Sequence, residues 1–267
     1  MITANPHLLM PLRPAAEQNA LLDRAFTPLP ADRQTAAGQT ARAACNALAA
    51  SSRLAAGPEA AGHSGASAPY SAALGTVAGE LRVIFQDAAA YAAGTSPEQW
   101  APHLDQVRRR ANVYAGSQGV VLDSTLRVLL PLIAARCFGA GSLREAVTLC
   151  SDPLSTPAET SLITGFALPT LIEGRARGLG ERSARVDALL AIMARHHDDT
   201  ASENGRLALR MLRWDAAVAL EAGGHASEEG LRRCTDLRDT IHFYKIVPMG
   251  GVGLFAVTLF LDGLLAP

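Results

Sequence analysis

The chain has 267 residues, of which 49% are hydrophobic, 18% charged and 5% aromatic, with a formal net charge of −1. That much apolar side chain excludes disorder throughout and can supply the core of one large domain. The near-zero charge excludes a global basic field of the kind that draws a protein to nucleic acid or anionic lipid.

Residues 1 to about 14 hold Pro6, Pro11 and Pro14 among apolar side chains without periodicity, and read as an irregular N-terminal arm with no secretory pattern. A domain is expected from 15 to 267. Leu21, Leu22 and Phe26 fall at helical spacing, and Thr27-Pro28-Leu29-Pro30 stops that helix because proline lacks an amide donor. Asp32 and Arg33 follow, either as a turn pair or as site residues. Thr35 to Leu54 predicts an Ala-rich helix, and Gly57 to Pro69 a Gly/Ala/Ser connection.

Leu74, Val77, Leu81, Ile84 and Phe85 put one apolar face on a helix from Tyr70 to Ala93, ended by Gly94. Ser96-Pro97-Glu98 starts the next, to about Tyr114, on which Arg108, Arg109 and Arg110 read as a solvated face. Val120 to Phe138 is apolar on nearly every side and should be the central helix. Asp123 stands at its start, as a cap on the macrodipole or as a group facing a cavity. Short helices follow at Leu143 to Cys150 and Ala158 to Leu171.

From Glu181 to His196, apolar Val186, Leu189, Leu190 and Met193 mark one helical face. The helix runs into His196, His197, Asp198, Asp199, Thr200, Ser202, Glu203 and Asn204, a cluster suited to a pocket rim or to a solvated helix end. Leu207 to Ala222 and Ser227 to Phe243 predict two more helices separated by Gly223-Gly224. Val247 to Gly253 reads as a proline and glycine loop before a closing apolar helix, Leu254 to Leu264. The fold class is therefore all-α, a single domain of antiparallel helices around one core. The longest apolar run, Leu254 to Leu261, is too short to span a bilayer. Cys45, Cys137, Cys150 and Cys234 are scattered without a CxxC pair, which argues against zinc and fits reduced thiols in the cytoplasm.

Three stretches carry a resemblance: Gly165 to Thr200, Leu220 to Leu231 and Pro248 to Leu265. In this order they resemble the triphosphoribosyl-dephospho-CoA synthases, especially the version that accompanies malonate decarboxylase. That family has a helix ending in Asp-Asp-Thr, an Ala-Gly-Gly break before a helix, and a Pro-Gly-Gly loop before a closing apolar helix. Thr27 to Arg33 and Gly119 to Leu132 are weaker echoes. Arg175-Ala176-Arg177 and Gly180 to Ser183 also resemble the ADP-binding subunit of dihydroxyacetone kinases, but only as far as residue 187.

The first resemblance implies a cytoplasmic transferase that joins ATP to 3′-dephospho-CoA and releases adenine, with Mg²⁺ on the triphosphate. It implies Asp32, Asp123 and Asp199 as catalytic acids, and Asp198 and Asp199 as metal ligands. Arg33, Arg127, Asn204, Arg206 and Lys245, the only lysine, would bind the substrates. It leaves a homo-oligomer open and calls for neither nucleic acid nor membrane.

The chain departs from the family's pattern at polar positions. Leu29 stands for a lysine, Val121 and Asp123 stand for an asparagine and a histidine, and Asn204-Gly205-Arg206-Leu207 replaces His-Arg-Gly-Gly. Gly251-Val252-Gly253 replaces Ser-Ala-Asp. The apolar frame is kept while the site is altered. The alternative expectation is a catalytically impaired member that binds a nucleotide, a CoA-like ligand or a protein partner.

Overall fold

A computed structural model describes residues 33–56, 67–140, 145, 157–196, 203–244 and 249–265. The expected helix at Ala15 to Phe26 and most of the one at Leu143 to Cys150 lie outside them. Among the described residues there is no strand, so the all-α expectation holds.

The elements in order are α1 (Arg33–Ala56), α2 (Ser67–Gly94), a 3₁₀ turn (Pro97–Gln99), α3 (Trp100–Ser117) and α4 (Asp123–Phe138). Then come α5 (Pro157–Leu162), a π-helical turn (Ile163–Ala167), α6 (Leu168–Ala176) and α7 (Glu181–Met193). The chain closes with α8 (Glu203–Glu221), a 3₁₀ turn (Gly224–Ala226), α9 (Glu228–Tyr244) and α10 (Met249–Leu265). Several boundaries differ from expectation: the helix expected from Val120 starts at Asp123, the one expected to Leu171 continues through a π-helical turn to Ala176, and the one expected to His196 ends at Met193. Pro69 falls inside the first turn of α2, where its missing N–H costs nothing, so the connection ends earlier than the composition suggests. The expected loop at Val247 to Gly253 is helical from Met249 onward, and Gly253 faces a neighbouring helix at Thr125.

The core follows from which helices are apolar. α4 is buried on almost every side, including Leu126, Leu129, Leu130 and Ile133, as its composition predicts. It packs against α1, α2, α3 and α10, and α10 is buried nearly all round as well. Alanine-rich faces of α1 and α2, with Ala41, Ala44, Ala88 and Ala92 fully buried, let those two helices approach closely.

A second, smaller apolar cluster joins α7, α8 and α9 through Leu190, Met193, Leu212, Ala216 and Leu237. The expected apolar face of α7 lies here. α7 also buries Ala184, Ala188 and Ile192 in the large core, so it has two buried sides, not one stripe. It is the shared wall between the clusters. Arg175 fastens this region from outside: its guanidinium donates to Glu181 at 2.7 Å and to Asp262 at 2.5 and 2.8 Å, tying α6, α7 and α10.

Candidate functional site

The strongest polar convergence forms where α3, α4 and α5 meet. Asp123 is the first residue of α4, and the cap position before it is Leu122, which makes no side-chain capping bond. Asp123 is therefore not the capping residue but the acid of the positively polarised first turn, and its carboxylate turns to neighbouring side chains. Oδ1 accepts bonds from Arg108 Nη1 and, at 2.6 Å, from Asn112 Nδ2; Oδ2 accepts from Arg127 Nε at 2.8 Å. Burial pushes this carboxyl up, but the bonds from Arg127 and Arg108 outweigh it and hold it below the ordinary aspartate range. The positive end of α4 acts in the same direction.

Arg108 also donates to Asp105 at 2.6 Å, one turn back on α3. Its side chain is only 17% exposed, whereas Arg109 is 75% exposed. The expected solvated arginine face thus holds for Arg109 and Arg110 and fails for Arg108. Adjacent helical residues point about 100° apart, which explains the split. Bonds to Asp105 first, then to Asp123, outweigh burial and raise the guanidinium's already high affinity for its proton.

Glu159 on α5 lies within reach of the charges of Arg127 and Asp123. Its Oε2 is buried with no hydrogen-bond partner. Burial pushes the carboxyl above the ordinary glutamate range; Arg127 lowers it and Asp123 raises it further. Two carboxylates that feel each other's charge are thus driven in opposite directions. Behind them, α10 comes up against the first turn of α4. A Cβ on Gly253 would overlap Thr125 Oγ1, so only glycine permits this approach.

A second polar knot lies at the small cluster. Asp187 on α7 is only 2% exposed and is held by the turn before α9. It accepts the backbone N–H of His225 at 3.1 Å, and His225 Nδ1 lies 2.6 Å from its Oδ1. The bonds to Asp187 and then to Cys234, whose Sγ is 3.9 Å away, push the imidazole up to about 9 against the cost of burial. The turn is built from glycine for a steric reason. Gly223 and Gly224 have φ of 102° and 55°, and a Cβ on Gly224 would sit 2.6 Å from the Asp187 carboxylate. Ser227 then caps α9, accepting the Gly230 N–H at 2.9 Å.

Of the expected site residues, Asp123 and Arg127 are brought together. Asp32, Asp198, Asp199 and Lys245 lie outside the described residues. Arg33, Asn204 and Arg206 are helical, and their side chains also lie outside the description. Among the described residues, no group of three or more His, Cys, Asp or Glu side chains is arranged to hold a metal. A shallow groove of about 690 Å³ between α2 and α3, lined by Glu80, Arg109, Arg110 and Tyr114 among others, includes neither Asp123 nor Arg127. Arg108, Asn112 and Glu159 were not singled out as site residues, nor was the Asp187–His225 pair. Arg108 alone carried a signal, its spacing from Asp105.

Comparison with known proteins agrees with the resemblance over the C-terminal part. Residues 161–267 match the CitG family, described as ATP:dephospho-CoA triphosphoribosyl transferase. The chain is 37% identical over 131 residues to a Pseudomonas aeruginosa protein described as a probable 2-(5''-triphosphoribosyl)-3'-dephosphocoenzyme-A synthase, a match covering 48% of this chain and 41% of that protein. Proteins of the same description from Azotobacter vinelandii and Stutzerimonas stutzeri are 44% and 42% identical over 98 residues, 36% of this chain and 34% of each relative. The chain thus spans about two-fifths of the first of these relatives and about a third of the others. No solved structure matches. The segment matched by the family contains the Asp187–His225 knot and α10, while Arg108, Asn112, Asp123, Arg127 and Glu159 lie before it.

Proposed function

We propose that the chain is a transferase that joins ATP to 3′-dephospho-CoA with release of adenine. The observation that carries this reading is the match of residues 161–267 to a family with that activity. It is a divergent version, because the family's polar positions are altered while the helical frame is kept. The reaction replaces the bond from adenine to the anomeric carbon of ATP's ribose with a bond to a ribose oxygen of dephospho-CoA. The site must accept the hydroxyl proton, assist the departing adenine and offset the triphosphate charge.

Arg127 and Arg108 stand beside the N-terminal turn of α4, a setting that favours anions. Both guanidiniums also hold Asp123, which fixes their orientation. With its proton affinity lowered and three donors upon it, Asp123 acts as a fixed anchor for these cations and not as a proton acceptor. Arg33, Asn204, Arg206 and Lys245 are assigned to substrate phosphates, and Asp32 and Asp199 remain the other candidate acids. Asp198 and Asp199 would supply oxygen donors of the kind Mg²⁺ takes, one or two carboxylates with the rest from phosphates and water. Mg²⁺ would arrive with ATP and neutralise the triphosphate. The same reading places the chain in the cytoplasm, in the prosthetic-group chemistry of a malonate decarboxylase. No helix among the described residues is long and apolar enough to cross a membrane.

Purified protein incubated with ATP, dephospho-CoA and Mg²⁺ should release adenine, resolved by chromatography, only when both substrates are present. Adenine no higher than in a protein-free control would contradict the assignment.

A further inference from the structure

We infer that the outer face of α8 docks a second copy of this chain, laid antiparallel against the same helix of its partner. α8 is apolar on two opposite sides. Leu212, Ala216 and Ala219 are buried in the small cluster. On the other side Leu207, Met211 and Trp214 follow one another four and three residues apart, 56%, 39% and 43% exposed, and half-buried Val218 extends the row. Scattered exposed apolar residues need no explanation. A row that joins leucine, methionine and tryptophan on one helix face has the composition of an interface.

The charges beside the row decide what covers it. Arg210 and Glu221 are exposed and, at about 100° per residue, fall on the same edge of the row, Glu221 at the C-terminal end of the helix and Arg210 three turns before it. Arg195 of the same chain is felt by Glu221 as a charge, but it is engaged over the ring of Phe166, 3.9 Å from the centroid. In an antiparallel pair with two-fold symmetry each edge meets its own counterpart, so the Arg210 of each copy meets the Glu221 of the other. The axis then passes between Asp215 and Ala216. That register sets Trp214 of one copy opposite Ala217 and Val218 of the other, large against small. An inverted copy carries the matching charges by construction, which no other partner is obliged to do. α8 has 19 residues, a length of about 28 Å. One pair of such helices covers less than the roughly 1,200 Å² at which stable interfaces begin, so the dimer is weak and depends on concentration.

Sedimentation velocity on the full chain, from about 1 to 200 µM, reads this contact. The sedimentation coefficient should climb from the monomer to the dimer value with a midpoint in the micromolar range. Trp214→Ser should raise that midpoint about 10-fold or more. Arg210→Glu and Glu221→Arg should each do the same alone, since each sets like charges opposite one another twice. An equimolar mixture of the two should recover the parent's midpoint, because the mixed pair restores both opposite-charge contacts. Circular dichroism and melting temperature check that each variant is folded, and Met211→Ser on the same row replaces Trp214→Ser if that chain is not. A chain that stays monomeric throughout overturns the inference and leaves the row to a different protein. A dimer indifferent to these substitutions overturns it too, and so does a mixture no tighter than either single variant. None of the substituted residues is assigned to ATP or dephospho-CoA, so dimerisation and adenine release are read separately.

Discussion

The buried Asp187–His225 pair makes stability depend on pH in a definite direction. The folded chain holds the imidazolium up to about 9, whereas the ordinary value is 6.5. A raised value means that folding binds a proton, so the stabilisation is complete below about 6.5 and is lost as pH rises through about 9. Melting temperature should therefore fall across that window, and His225→Gln should flatten the decline; equal slopes for both proteins would count against the pair. Gly224→Ala should be more damaging. It places a Cβ 2.6 Å from the Asp187 carboxylate at a positive φ. About 1–3 kcal/mol should be lost, measured by denaturant unfolding. None of this was legible in the sequence. Asp187 and His225 are 38 residues apart, and only the fold turns a helix aspartate and a turn histidine into partners. The Gly223-Gly224 stop was legible, because a positive-φ helix ending has a composition of its own.

At the scale of elements, periodicity located most of the helices, and α4 emerges as the central one because its apolar residues cover nearly every side. What periodicity missed was the start of α10. Glycine is a poor helix former, so Gly250, Gly251 and Gly253 read as loop. The use of Gly253 is steric: without a side chain there, α10 can press on the first turn of α4 at Thr125. Gly253→Ala should consequently cost about 1–3 kcal/mol in thermal or chemical unfolding, although alanine has the better helix propensity. Thr125→Ala removes the overlapping hydroxyl and leaves the nearest side-chain atom 3.3 Å away. The double variant should recover part of the loss. If Gly253→Ala is neutral or stabilising, the close approach of these two helices is not what holds the glycine there.

Over the whole molecule, α7 belongs to both apolar clusters, so neither should melt without the other. Trp100 is buried in the large core and Trp214 lies half-exposed on α8, a helix of the small cluster. Single-tryptophan variants made by Trp214→Phe and Trp100→Phe should report coincident unfolding midpoints; separated midpoints would show the clusters to be independent units. The candidate site was less legible than this frame. Asp123 was marked by its place at the start of an apolar helix and, with Arg127, by the resemblance, while Arg108 and Asn112 reach Asp123 from another element. Asp198 and Asp199 were found by resemblance and remain assigned through it.

The most direct measurement follows two labels at once. ATP carrying one isotope in adenine and another in ribose should be incubated with the protein, dephospho-CoA and Mg²⁺, and the products separated by chromatography and weighed by mass spectrometry. The account predicts that the adenine label appears as free base in step with transfer of the ribose label to the dephospho-CoA product. Both labels remaining together in ATP, or leaving together in any product, would contradict it.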